Sequence, residues 1–365
     1  MSYTKLRNIL EQNKKYVIPA TVLTACFILH ITTRFSSSLS DFLTFGISHY
    51  IRASLSFITS FVPFSLGETV IIMLPVLLAL VIYIAIKGLH HDSKIIHVLI
   101  VILTVMYSMF VLSFAPSYST STADRLFDIQ AGSVSADELY KSALILSGEI
   151  NELADDISFK YGSNSVMPYD MDALSDKLVS SYSALGQKYP FVRNYRSRLK
   201  PIALSKPMTY THISGVYTYY TGETNINTNF PDYTIPYTSA HEMAHGRGFA
   251  REKEANFVAF LACSASDDPY IRYSGKLSML EYITNALYTA DPDLYREVFY
   301  SLDIRVRCEL VSYSEFFDDY RDSAASEISS TVNDVYLKSQ GQSEGEKSYG
   351  LVVDLAVAYI LDNRS

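Results

Sequence analysis

The chain has 365 residues, of which 30 are basic and 38 acidic, giving a formal net charge of −8. That length accommodates two units, and the acidic charge, concentrated in the second half, disfavours nucleic acid and anionic lipid as partners. The three cysteines, Cys26, Cys263 and Cys308, form no Cys-x-x-Cys, which argues against a cysteine zinc site and leaves a Cys263–Cys308 disulfide open.

Composition changes near residue 115. Residues 1–115 carry eight Lys/Arg and four Asp/Glu, a balance of +4, which leaves 22 basic and 34 acidic residues, −12, for the rest. This divides the chain into a membrane domain, 1–115, and an outer domain, 116–365. The first apolar run, residues 17–33, follows Lys14 and Lys15. Leu23-Thr24-Ala25-Cys26 looks like a lipoprotein cleavage box, but Phe27-Ile28-Leu29 continue the apolar run where a polar tether is required. The run therefore reads as an uncleaved signal anchor.

Residues 39–62 place Leu39, Phe42, Ile47, Tyr50, Ile58 and Phe61 at helical spacing, with Asp41, Thr44, Ser48, Arg52, Ser56 and Thr59 on other faces. Such an amphipathic helix fits the outer surface of a bilayer, and equally a helix packed on the outer domain. Residues 69–86 and 95–115 are almost uninterrupted hydrocarbon with no polar face. A span needs about 20 apolar residues, so the sequence predicts three transmembrane helices. Lys5, Arg7, Lys14 and Lys15 precede the first, and Lys87 and Lys94 flank the second loop beside His90 and His91. The positive-inside rule puts both groups in the cytoplasm and residues 116–365 outside.

A Ser/Thr-rich linker, Ser117 to Thr122, leads into the outer domain. Helices are expected over 135–158, striped by Leu139, Ala143, Leu146, Ile150 and Leu153, and over 170–188, through Leu174, Leu178 and Leu185. Val216 to Tyr220 and Glu223 to Thr228 flank Thr221-Gly222, which predicts a hairpin. Beside a zinc peptidase site such an edge could pair with an extended substrate. Two helices follow, at about 237–246 and 250–264, and the remainder has helical periodicity.

The first of these helices carries His241-Glu242-Met243-Ala244-His245. Residues four apart share a helix face, so both imidazoles can aim at one point, and that spacing suits Zn²⁺. Glu242, one step round, can take a proton from water rather than bind the metal. Gly246 and Gly248 end the helix and free the chain to return a third ligand. Arg251 stands where a third His would complete a metzincin site, and a guanidinium cannot bind zinc. Glu252 and Glu254 remain. Glu254-Ala255-Asn256 resembles the motif of gluzincin-like peptidases, in which the Glu is the ligand and the next polar residue buttresses it. Glu254 is thus the favoured third ligand, Glu252 the alternative and Asn256 the supporting residue. A zinc peptidase also needs a donor for the developing oxyanion. Tyr273, in Arg272-Tyr273-Ser274-Gly275, can supply it if that stretch turns back over the site, and His212 is the alternative.

The whole resembles the bacterial membrane proteins of the domain of unknown function 3810 family. The residues that carry the resemblance are Tyr220-Thr221-Gly222-Glu223 with Asn225 and Asn227, His241 to His245, Gly248-Phe249-Ala250-Arg251-Glu252, Glu254-Ala255-Asn256-Phe257, Arg272 to Gly275 and Tyr336-Leu337-Lys338. The resemblance implies three N-terminal spans, an outer zincin-like domain and a zinc metallopeptidase-like site, and leaves the substrate open.

The expected protein is mainly α: three transmembrane helices, then an α+β zincin-like domain with a small hairpin. Its expected function is a membrane-anchored zinc hydrolase, a peptidase acting on peptide or protein outside the bilayer with Glu242 as general base. A non-catalytic zinc-stabilised binding or sensor domain is the alternative, and an assembly protein with an incidental motif is the third. Glu242 separates the first two, since a structural zinc site needs no base.

Overall fold

The computed structural model describes residues 14–88, 93–160, 164–321, 323–342 and 352–362. Lys5, Arg7, His90 and His91, on which the expected orientation partly rests, lie outside the described residues.

Helix α1, Lys14–Arg34, opens the described chain. It is followed by α2, Ser37–Phe42, a π-helical turn over Leu43–Ile47, and α3, Ser48–Thr59. This middle segment is amphipathic as expected, but its polar stripe faces inward. Ser40, Thr44, Ser48, Arg52, Ser56 and Thr59 are buried, while Phe42, Tyr50, Phe57, Ile58 and Phe61 are exposed.

Two long apolar helices come next, α4, Leu66–Gly88, and α5, Ser93–Ser113. The stretches Lys15–Arg34 and Leu66–Tyr83 are long and apolar enough to cross a bilayer. The third expected span is corrected: among the described residues the apolar part of α5 is His97–Ser113, short of the ~20 residues a span needs. Its C-terminal end is built into the folded unit instead. Val111 and Ser113 are buried, and the Ser48 hydroxyl donates to the Leu112 carbonyl at 2.6 Å.

Beyond α5, a 3₁₀ turn at Ala115–Ser119 leads to α6, Ala123–Phe127, and α7, Ala136–Asp155. Ser135 and Glu138 form a reciprocal capping box at the start of α7, which satisfies two of its orphan N–H groups. Asp170 caps α8, Met171–Lys188, by accepting the Ala173 N–H at 2.9 Å. Strand β1, Leu199–Pro201, and the short helix α9, Ser205–Thr209, precede the hairpin of β2, Gly215–Thr218, and β3, Glu223–Ile226. The sheet order is β1-β3-β2, with β1 parallel and β2 antiparallel to β3. Among the described residues, one edge of β2 therefore has no strand beside it. The expected hairpin is present, and β1 adds a third strand that its three residues, one of them proline, did not announce.

The remaining elements are helical: α10, Thr234–Arg247; α11, Glu252–Ser264; α12, Pro269–Ala290; α13, Pro292–Ser301; α14, Ile304–Asp318; α15, Ala324–Ser339; and α16, Val352–Asp362. Helix α11 is buried continuously from Glu254 to Cys263, packed among α8, α10, α12 and α16. A Cβ on Gly275 of α12 would collide with Cys263, so the glycine lets the two helices touch. Cys263 and Cys308 are both free thiols, so the disulfide left open by the sequence is not formed.

The helical segment α2–α3 is bolted to the rest by polar groups. Glu223 accepts the N–H groups of Leu66 and Gly67 at 3.2 and 3.0 Å, which caps α4. Lys200 donates to the carbonyls of Thr59, at 2.8 Å, and Val62, at the end of α3. Arg52 is wholly buried and donates to three carbonyls: Gly246 at 2.7 Å, Ser113 at 2.7 Å and Thr44 at 2.8 Å. Carbonyls at helix C-termini lack intrahelical partners and carry the negative end of the dipole. One cation thus serves the ends of α10 and α5 together.

Replacing Arg52 with Leu would take a charged donor from three buried carbonyls, of which Gly246 keeps the Tyr195 hydroxyl. At ~1–3 kcal/mol for each group left unsatisfied, the loss is expected to reach about 2–4 kcal/mol. Thermal unfolding of the detergent-solubilised protein would read it, with Arg52→Lys falling between wild type and Leu.

Candidate metal centre

Helix α10 positions the two histidines. Its N-terminus is held by Ser274 of α12, whose hydroxyl donates to the Tyr233 carbonyl and accepts the Tyr237 N–H. At its C-terminus Gly248 takes φ 103°, and a Cβ there would meet Thr44 at 2.6 Å and Arg52 at 2.9 Å. That left-handed residue turns the chain so that the Phe249 carbonyl lies 2.8 Å from His245 Nδ1. An imidazole that donates from Nδ1 to a carbonyl presents its bare Nε2 to a metal. The His241 and His245 rings stand 4.6 Å apart at 88°.

The carboxylate that meets them is Glu252, at the start of α11. Its Oε2 lies 3.2 Å from His241 Nε2 and 3.6 Å from His245 Nε2. Among the described residues His241, His245 and Glu252 are the group whose donor atoms all fall within 4.8 Å of one another. An ion bound tetrahedrally at about 2.0–2.1 Å separates its ligand atoms by about 3.3 Å, which matches this spacing. Glu252 Oε2 is buried and makes no hydrogen bond of ordinary geometry. The three donors therefore fit a metal better than they fit one another.

Burial opposes ionisation of Glu252, but the two imidazoles, His245 foremost, hold its carboxyl well below the usual carboxylate range. Burial alone would lower the His245 imidazole, yet Glu252 raises it to about 9.

Glu254 does not join this group. Its carboxylate, fully buried, pairs with Arg251 at 2.7 Å and accepts the Ala123 N–H at 3.0 Å. Arg251 in turn donates to the carbonyls of Thr120 and Ser121 at 2.9 and 2.8 Å. The pair fastens the linker after α5, and the preference for Glu254 as the third ligand gives way to the alternative, Glu252. Arg251 is the extended residue just before α11, and Glu254 lies in its first turn, three residues on.

Tyr273 is likewise elsewhere. Arg272 to Gly275 lies inside α12 rather than in a turn. The Tyr273 hydroxyl is buried and donates to Glu309 at 2.5 Å. His212, the alternative, does line the cleft described next. It takes φ 58°, and its Nε2 lies 2.8 Å from the Tyr320 carbonyl. Asn256 is buried beside the centre and interacts with Tyr282.

The centre opens into a cleft of about 1490 Å³. Its lining includes Gly215 and Val216 of β2 and Ile328 and Val332 of α15. Glu242 lies under β2. A Cβ on Gly215 would meet the Glu242 carboxylate at 2.8 Å, and Glu242 accepts the Tyr217 N–H. Burial raises the Glu242 carboxyl above its ordinary value. Tyr118 and Tyr336, whose hydroxyls hydrogen-bond at 3.1 Å, line the cleft close enough to Glu252 to feel its charge. The sequence reading gave neither tyrosine a role, although Tyr336 lies in one of the stretches that carry the family resemblance.

A family model described as a protein of unknown function (DUF3810) matches residues 44–357. No curated protein and no solved structure matches the chain.

Zinc titration tests the ligand set. His241→Ala, His245→Ala and Glu252→Ala should each cost more than the about 10–100-fold in affinity that loss of a supporting hydrogen bond costs. Glu254→Ala should keep the affinity and lower thermal stability. Coordination needs neutral imidazole, so with His245 raised to about 9 zinc uptake at pH 7 should release a proton and tighten as pH rises toward 9. Calorimetry in buffers of different ionisation enthalpy measures that release.

Proposed function

The chain belongs to the DUF3810 family of proteins of unknown function, and we propose that it is a membrane-anchored, zinc-dependent hydrolase, a peptidase with a zincin-like site. The observation that carries this reading is the division of labour around α10. His241, His245 and Glu252 converge as ligands, while Glu242 faces the cleft outside that set.

Zinc bound there would polarise a substrate carbonyl and ease ionisation of water. Glu242 is the proton acceptor: a buried carboxylate with a raised pKa holds a proton readily and can return it to a leaving amine. Gly215 and the Tyr217 N–H fix its position. The open edge of β2 offers backbone groups to an extended polypeptide, and the exposed Val216 side chain lies along it. Tyr336 and Tyr118 take the part first given to Tyr273, as neutral donors to the developing oxyanion.

The folded unit holds the start of α4 through Glu223 and the end of α5 through Arg52. These two contacts hold the folded unit at the ends of the apolar helices.

Substrate profiling of the zinc-loaded protein beside Glu242→Gln is the direct test. The variant should keep zinc and lose about 10²–10⁴-fold in turnover. Equal turnover would remove Glu242 as the base, and no turnover in either, with zinc bound, would favour a structural or sensing centre. Gly215→Ala should also keep zinc, because it touches Glu242 and no ligand. Displacing the base by even an ångström should cost about 10²-fold.

A further inference from the structure

The apolar stripe of α2–α3 has no cover among the described residues. Phe42, Tyr50, Phe57, Ile58 and Phe61 are each more than half exposed. A folded unit in water turns the polar face of a surface helix outward; here the polar face is buried and the aromatic face is bare. The segment runs directly from the end of α1 to the start of α4, the two helices able to cross a bilayer. Its exposed face is therefore continuous with lipid-exposed surface, and its occupant is the headgroup and upper acyl region.

The metal centre is tied to this segment at close range. Arg52 reaches from α3 to the Gly246 carbonyl, one residue beyond His245. Phe114, the first residue after α5, lies 6.4 Å from the His245 ring and stacks on Tyr219 of the cleft wall at 5.3 Å. Tyr219 also meets Phe110 of α5, and Phe110 meets His30 of α1. Helix α15, which also lines the cleft, is joined to the end of α1 by Arg34, which donates to the Ser339 carbonyl at 2.6 Å. One end of the cleft thus rests on the ends of the apolar helices.

We infer that α2–α3 lies in the bilayer interface and seats the centre at the membrane surface. The polypeptides it acts on are then themselves membrane-tethered and are cut in the segment just outside the bilayer. The substrate half of this inference rests on the hydrolase reading above; the placement does not.

The placement is read without catalysis. The chain has no tryptophan, so single reporters are clean. In phosphatidylcholine vesicles with acyl chains brominated near the headgroup, full-length Phe57→Trp should be quenched and Tyr300→Trp, on α13, should not. Unquenched Phe57→Trp would overturn the placement.

The substrate class is read with a degenerate peptide library coupled to a lipid, either directly or through a long Gly/Ser spacer, in vesicles holding the zinc-loaded protein. Direct coupling should give cleavage at least about tenfold faster than the long spacer, since effective concentration collapses when a tether misses the site. Equal rates, or preference for the long spacer, would overturn the inference and leave the hydrolase reading standing. No cleavage of either library, with zinc bound, would remove both the hydrolase reading and the substrate half.

Discussion

Three carbonyl oxygens from three segments end on one buried guanidinium. Arg52 joins the C-terminus of α10, the C-terminus of α5 and the π-helical turn between α2 and α3. A buried cation is costly unless its donors are all used on good acceptors, and helix C-termini are such acceptors. The Tyr195 hydroxyl adds a further bond to the Gly246 carbonyl at 2.6 Å. Two residues on, Gly248 packs against the same arginine and turns the chain so that the Phe249 carbonyl orients His245. The aim of a candidate ligand thus depends on a residue of the N-terminal half, and the match of the family model from residue 44 onward takes in that residue.

Three buried glutamates near α10 and α11 show how environment assigns roles to one residue type. Imidazoles hold Glu252 ionised, which suits a ligand. Arg251 and the Ala123 N–H engage Glu254, which suits a fastener for the linker. Among the described residues Glu242 forms no ion pair, and burial raises its carboxyl, which suits proton exchange. Burial raises Glu254 as well, against the pull of Arg251, so the direction of a shift alone does not identify the base. Position in the cleft does.

Much of this was legible in the sequence. The four-residue spacing of His241 and His245 fixed a shared face, the stripes through Leu139 to Leu153 and Leu174 to Leu185 marked two helices, and Thr221-Gly222 marked the hairpin. What failed was partner choice, which periodicity does not encode. Residues 252 and 254 are both acidic and both in the first turn of α11; only the return angle after Gly248 decides which one meets the imidazoles. Tyr273 sits in a motif with serine and glycine that looks like a turn, yet Ser274 anchors α10 and Gly275 admits Cys263. The amphipathic segment was readable as a pattern, but which stripe meets protein depended on Gly246, nearly two hundred residues away.

The account stands on one claim, that His241, His245 and Glu252 form an open metal centre. Zinc K-edge absorption spectroscopy of the full-length protein tests it most directly. The account predicts two imidazole nitrogens, one carboxylate oxygen and one further light atom, all near ~2.0–2.1 Å. Sulfur at about 2.3 Å, or a spectrum without imidazole scattering, would contradict it.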